Sequence, residues 1–298
     1  MDRRSFLNAA GALAGIATTG SAARAQPLPG AARARAASQA AARPRWALVL
    51  GGGTARGFAH IGVIKVLQQE GLMPDLVVGT SAGALIGAFF AAGYSGVQME
   101  EVAMKVKDGD VADLVTGNKR GMVAGDALQA FVNKYLYNTP IERLKLPFAA
   151  VAANLTTGEP AIFRTGDAGF AVRASSSVPA VFIPARQGDN EYVDGGLISP
   201  VPIRIARDLG ADHVVAVSVS GTPQAGHPVG MYELLMQSFD IMASSLTRLE
   251  LREADVVIKP ELGRIAFTDF DSRNLLITLG EQAARRAVPS IRSKLRLG

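Results

Sequence analysis

Apolar and polar positions fall in blocks whose lengths name the elements. Trp46–Leu50 (WALVL) is a continuous apolar run, as a strand buried on both faces requires. A glycine-rich stretch follows at 51–57. From Phe58 to Gln69 the apolar positions recur at helical spacing, and Gly71 and Pro74 close the helix. Residues 76–78 predict a second strand that stops at Gly79. An apolar helix over 82–92, capped by Gly93, comes next. Strand, loop, helix, strand, tight turn, helix is a βαβα opening. It predicts an α/β protein with a mostly parallel sheet between helical layers.

The rest of the chain continues in kind. Residues 97–145 read as mainly helical with interspersed charge, and their place between motifs makes them a candidate lid or acyl-binding region. Strand character returns at 147–153 and 161–163. A short hairpin is expected around 187–190, leading into Tyr192 and Val193. A β-branched run at 213–219, a helix over 231–252, a strand at 256–258 and a basic terminal helix complete the pattern. Nothing repeats, no second boundary follows residue 46, and no later stretch holds 18 uninterrupted apolar residues. Residues 46–298 are therefore expected to form one domain.

The first 45 residues differ. Arg3 and Arg4 precede Phe6-Leu7, a weakly apolar Ala/Gly/Leu/Ile stretch follows, and Ala23-Arg24-Ala25 supplies a cleavage pattern. The layout predicts an export signal over 1–25 of the twin-arginine type, delivering the protein to a bacterial periplasm. The competing reading is an amphipathic helix that stays attached. Residues 26–45 alternate Pro, Ala and Arg without apolar periodicity and read as a flexible linker. Its four arginines either touch anionic headgroups or are simply solvated.

Charge changes meaning once it is located. The chain carries a net +5, but residues 1–45 hold seven arginines against Asp2 alone, which leaves 46–298 at −1. The basic excess therefore does not indicate nucleic acid binding. Cysteine is absent, which excludes a thiol nucleophile, a disulfide framework and a cysteine zinc site. Any histidine mechanism must use His60, His213 or His227.

Three short motifs carry candidate chemistry. Gly79-Thr80-Ser81-Ala82-Gly83 is a G-x-S-x-G between a strand and a helix, the setting of a nucleophile elbow. Its glycines would permit a sharp turn that lifts Ser81, and the helix behind it favours negative charge. The plainer alternative is a serine N-cap. Gly51-Gly52-Gly53-Thr54-Ala55-Arg56-Gly57 offers open backbone amides for an anion. It lacks the Lys-Ser/Thr of a P-loop and has Arg56 where a dinucleotide fingerprint needs glycine. An oxyanion hole from the Gly52 and Gly53 amides fits better, with Ala82 as a further donor. Arg56 either braces the loop or meets a phosphate headgroup. For a base, His60 lies on an apolar helix face, His213 starts a strand and His227 sits between Gly226 and Pro228. Asp194, before Gly195 and Gly196, is the alternative. Burial would raise a carboxylate towards useful basicity, although Asp-Gly is also an ordinary turn.

Together the motifs resemble the patatin-like phospholipases. Gly51–Gly57 looks like their G-x-G-x-x-[RK]-G loop, Gly79–Gly83 like their G-x-S-x-G, and Asp194-Gly195-Gly196 like their D-G-[AG], in the same order. The segments 56–67, 154–159 and 174–184 extend the similarity, which is closest to compact bacterial members. Asn154 departs from the Asp that many relatives carry. The resemblance implies a three-layer α/β/α fold and a Ser81–Asp194 dyad without catalytic histidine, metal or cofactor. It also implies a lipid acyl-ester substrate, phospholipid or lysophospholipid, met at a membrane surface. A short-chain carboxylesterase, a non-catalytic lipid- or phosphate-binding module and a histidine triad are the rivals. Oligomeric state has no signature in the sequence.

Overall fold

The structure is a computed structural model that describes residues 44–220, 229–263, 265 and 269–296. The export signal at 1–25 and all but the last two residues of the linker at 26–45 lie outside the described residues, as does His227. From Pro44 onward the chain forms one compact unit.

Strand β1 (Trp46–Leu50) pairs in parallel with β2 (Leu76–Thr80) on one side and β7 (His213–Val217) on the other. Beyond β2 lies β3 (Phe148–Asn154), parallel to it, and beyond β7 lies β8 (Val256–Ile258). β4 (Pro160–Phe163) and β6 (Asn190–Asp194) run antiparallel to β3, and β5 (Ala185–Gln187) hairpins with β6. The described sheet order is β5-β6-β3-β2-β1-β7-β8, with β4 on β3.

The helices are α1 (Phe58–Gln69), α2 (Ala82–Ala92), α3 (Gly96–Lys105) and the single turn α4 (Asp108–Val111). They continue with α5 (Asp126–Tyr135), α6 (Ala168–Ser175), α7 (Ile203–Asp208), α8 (Met231–Glu250) and α9 (Arg273–Leu295). Side-chain alternation in the strands sorts them into two layers. Leu48, Leu50, Val77, Val215 and Val217 pack against Ile61 and Ile64 of α1, Phe90 of α2 and Leu276 of α9. Ala47, Val49, Val78, Val214 and Ala216 face the other way, against Ile203 and Ile205 of α7. The result is the expected three-layer α/β/α arrangement. Helices α1 and α9 meet backbone to backbone: a Cβ on Gly62 would stand 1.9 Å from the Ile277 carbonyl, and one on Gly280 2.0 Å from that of Ala59.

Residues 97–145 are less helical than their sequence suggests. Between α4 and α5 the chain makes isolated bridges, Leu114 with Val123 and Val123 with Phe182. Helices α6 and α7, absent from the sequence reading, are short and buried, so an amphipathic stripe has no length in which to register.

Candidate active site

β1 and β7 are neighbours from which the chain leaves in opposite directions along the sheet, from β1 to β2 and from β7 to β8. The crevice at the carboxyl ends of such strands is where open α/β sheets bind ligands. The glycine loop leaves β1 there, and Ser81 follows β2 directly.

Ser81 is 7% exposed and holds φ 54°, ψ −123°, a conformation that a non-glycine residue adopts only under constraint. The flanking glycines permit the turn without adopting positive φ themselves: the strain lies in Ser81. The glycines serve close approach. A Cβ on Gly79 would lie 2.3 Å from the Gly83 carbonyl, and one on Gly83 2.1 Å from that of Leu50. Gly57 similarly lets Ala82 in, at 2.5 Å from an added Cβ. Helix α2 can thus begin against β1 with Ser81 at its amino end.

The elbow is clamped from outside the motif. Ser175, at the end of α6, accepts from the Ser81 amide at 2.8 Å and donates to Val151 of β3 at 2.5 Å. Thr80 Oγ1 donates to the Ser199 carbonyl at 2.9 Å. Sequence reasoning gave Ser175 no role, although it lies in the Ala174–Pro184 stretch that carries the resemblance.

Asp194 ends β6 beside Ser81. Its amide donates to the Ser177 carbonyl at 2.9 Å, and its Oδ1 accepts from the Gly196 amide at 2.7 Å. Gly195 lets the turn press on β3, since a Cβ there would stand 2.2 Å from the Val151 carbonyl. Oδ2 is buried and has no hydrogen-bond partner. Burial pushes the carboxyl up to about 6. The nearby Ser81 hydroxyl and the Gly196 amide oppose the rise. The Ser81 hydroxyl is close enough for its hydrogen bonding to lower the carboxyl, yet no well-formed hydrogen bond reaches Oδ2, the atom left open. Dyads commonly tighten only around substrate.

The glycine loop departs from expectation at one amide. The Gly52 amide donates to the Pro200 carbonyl at 3.0 Å, so it is committed to holding the loop. The Gly53 amide makes no hydrogen bond among the described residues, and Ala82 opens α2, where amides lack intrahelical acceptors. Gly52 still stands against Ser81, an added Cβ falling 3.4 Å from Ser81 Cβ. Gly51 is held from below by His60, whose Nε2 bonds its carbonyl at 2.8 Å. Complete burial takes His60 down to about 4, so it is neutral at pH 7 and packed, as its helix face suggests. Arg56 braces: it is buried, and its Nε donates to the Ile265 carbonyl at 2.9 Å. His213 begins β7 opposite Trp46, at the end of the strands away from Ser81.

A cavity of about 150 Å³ opens over Ser81 and Asp194. Gly52, Gly53, Arg56 and Gly196 line its floor side, and Met236, Phe239, Asp240, Ala243 and Thr247 of α8 form its wall. The lid expected at 97–145 contributes no lining residue. Asp240 faces Arg56; burial raises the carboxyl, and the guanidinium opposes this. At the end of α8, Glu250 accepts from Ser199 Oγ and, at 2.8 Å, from the Val201 amide. Burial pushes Glu250 up to about 7. Asp240 and Glu250 escaped the sequence reading because no local motif surrounds them. No group of three or more potential metal ligands occurs among the described residues.

Comparison with known proteins agrees with this geometry. A family model described as patatin-like phospholipase matches residues 48–207, which contain all three motifs. An uncharacterized NTE family protein of Mycobacterium tuberculosis is 30% identical over 267 residues, covering 81% of this chain and 46% of the relative. Patatin-like phospholipase domain-containing protein 6 of Mus musculus is 34% identical over 180 residues, covering 58% of this chain and 13% of the relative. The chain thus spans about half the length, or less, of these relatives. Among solved structures, VipD from Legionella pneumophila aligns with TM-score 0.48 and 16% identity over 84% of this chain and 67% of VipD. The family match spans more than half of the sequence, and the chain belongs to the patatin-like phospholipase family.

Proposed function

We propose that the protein is a serine acyl hydrolase working through a Ser81–Asp194 dyad on lipid acyl esters, phospholipid or lysophospholipid, at a membrane surface. The carrying observation is the buried Asp194 carboxylate, raised to about 6 with one oxygen unpartnered, beside a serine held in an elbow conformation. At neutral pH the carboxylate is ionised yet more basic than an ordinary aspartate. Asp194 takes the Ser81 proton as Oγ attacks the ester carbonyl. The Gly53 and Ala82 amides receive the oxyanion. Collapse transfers the proton to the departing alcohol and leaves an acyl-serine. Asp194 then deprotonates a water that attacks it, releasing the acid and restoring Ser81. No cofactor enters this scheme. The N-terminal pattern supports export to the periplasm as the setting.

A short-chain carboxylesterase is the second reading, favoured by a cavity of about 150 Å³ against roughly 300–1,000 Å³ for common ligand pockets. The test is hydrolysis of p-nitrophenyl esters and a phospholipid panel by the full chain in chelator, beside Ser81→Ala and Asp194→Asn. Turnover that disappears in both variants is expected, and the panel separates the two substrate classes. Full activity in Asp194→Asn would refute the dyad.

A further inference from the structure

Helix α8 is apolar on two faces. Its inner face walls the cavity over Ser81 through Met236, Phe239, Ala243 and Thr247. At 100° per residue, Met231, Leu234, Leu235, Ile241, Met242 and Leu249 gather on the opposite side within an arc of roughly 120°. All six are exposed, from 43% for Leu235 to 80% for Met231. The two other residues of the stripe are Ser238 and Ser245. Ser238 Oγ turns back onto the Leu234 carbonyl at 2.8 Å.

The four charges of the helix all fall off this stripe. Asp240 faces Arg56 in the cavity, Glu250 is bound to Ser199 and Val201, and Glu233 accepts from the Val229 amide. Arg248 borders the stripe. Arg252 lies just beyond the helix beside the exposed Glu253; both arginines are exposed and neither makes an ion pair with a described residue. Contiguous exposed apolar stripes of this kind mark an interaction surface. The helix lies outside the 48–207 family match.

We propose that the outer face of α8 is the surface by which the protein seats on an anionic lipid bilayer. This rests on the acyl-hydrolase reading above. An uncharged apolar arc with a basic border matches the acyl boundary and anionic headgroups of a membrane interface. Only the helix itself separates the face from the site: a bilayer on it lies one helix diameter, about 10 Å, from the cavity that must receive an acyl ester.

The test is flotation of the full chain with phosphatidylcholine vesicles, with and without phosphatidylglycerol. The parent is expected to bind, more tightly with phosphatidylglycerol. Leu235→Ser/Ile241→Ser/Met242→Ser should weaken binding at least 10-fold. It should also leave kcat/KM on a soluble short-chain ester within 2-fold, which certifies its fold. Arg248→Glu/Arg252→Glu should lose only the phosphatidylglycerol-dependent part. Parent that ignores both vesicles, or a triple variant that still floats, overturns the proposal. So does a parent dimer that the triple variant dissolves without any vesicle binding. Stripe-dependent flotation in a parent that hydrolyses neither the soluble ester nor any phospholipid upholds the docking face and sinks the hydrolase reading.

Discussion

Asp194→Asn should stabilise the protein while it abolishes turnover. The carboxyl rises from 3.8 to about 6 on folding, mainly by burial. Two pKa units correspond to about 3 kcal/mol of differential free energy. The sign follows from proton binding. Between the two pKa values the folded state holds the proton more tightly than the unfolded chain, so stability falls as pH rises through this window. The penalty is about 1.5 kcal/mol at pH 5 and reaches its full value of about 3 kcal/mol by pH 8. Asparagine keeps an oxygen for the Gly196 amide and puts an uncharged NH₂ where Oδ2 has no partner. Thermal melts of parent and variant from pH 5 to pH 8 should therefore diverge, with the variant ahead by on the order of 6 °C at pH 8. Glu250 titrates in both proteins and cancels. The same carboxylate should give the parent's kcat/KM an acid limb near 6, and loss of the base should cost at least about 100-fold in kcat. A variant less stable than the parent at pH 8, or a gap independent of pH, would refute the argument that a buried and underpaired carboxylate is the base.

Ser175→Ala removes the acceptor of the Ser81 amide and should cost about 1–3 kcal/mol in denaturant melts. Its kcat should fall at unchanged KM, because the elbow rather than the cavity is disturbed. Glu250→Ala strands the Val201 amide and the Ser199 hydroxyl and should be destabilising by a similar amount, whereas Glu250→Gln retains an acceptor. Since Glu250 is raised from 4.5 to about 7, its ionisation costs stability as pH rises between those values, and the glutamine variant should gain on the parent across that window and keep the gain above pH 7 in thermal melts. Gly62→Ala drives a methyl to 1.9 Å from the Ile277 carbonyl and should lower stability by about 3 kcal/mol or more by forcing α1 from α9, read as a lower melting temperature.

What the sequence discloses and what it hides divide along contact range. Strand β1 and helices α1 and α2 match their expected limits because continuous apolar runs and helical spacing are local signals. Ser81 was legible because an elbow must be written in adjacent residues, and His60 as packed because its helix face is apolar. The fate of the Gly52 amide was not legible. It depends on Pro200, which is 148 positions away, and no local pattern reports which loop amide finds an acceptor. The same holds for Ser175, Asp240 and Glu250, whose roles come from the crossing of α6 and α8 over the sheet.

Those hidden contacts converge. The loop 199–201 receives Thr80 Oγ1 on the Ser199 carbonyl and the Gly52 amide on the Pro200 carbonyl, while Glu250 grips Ser199 Oγ and the Val201 amide. It also continues the Asp194 turn, the Ser199 amide donating to the Gly195 carbonyl at 2.8 Å. The Ser81 elbow, the glycine loop and the Asp194 turn are therefore fixed against one short segment. That segment is in turn tied to α8, the helix that walls the cavity. A displacement of α8 would reach all three of these elements through the Glu250 contacts, so the helix that walls the cavity also holds the segment on which the proposed chemistry depends.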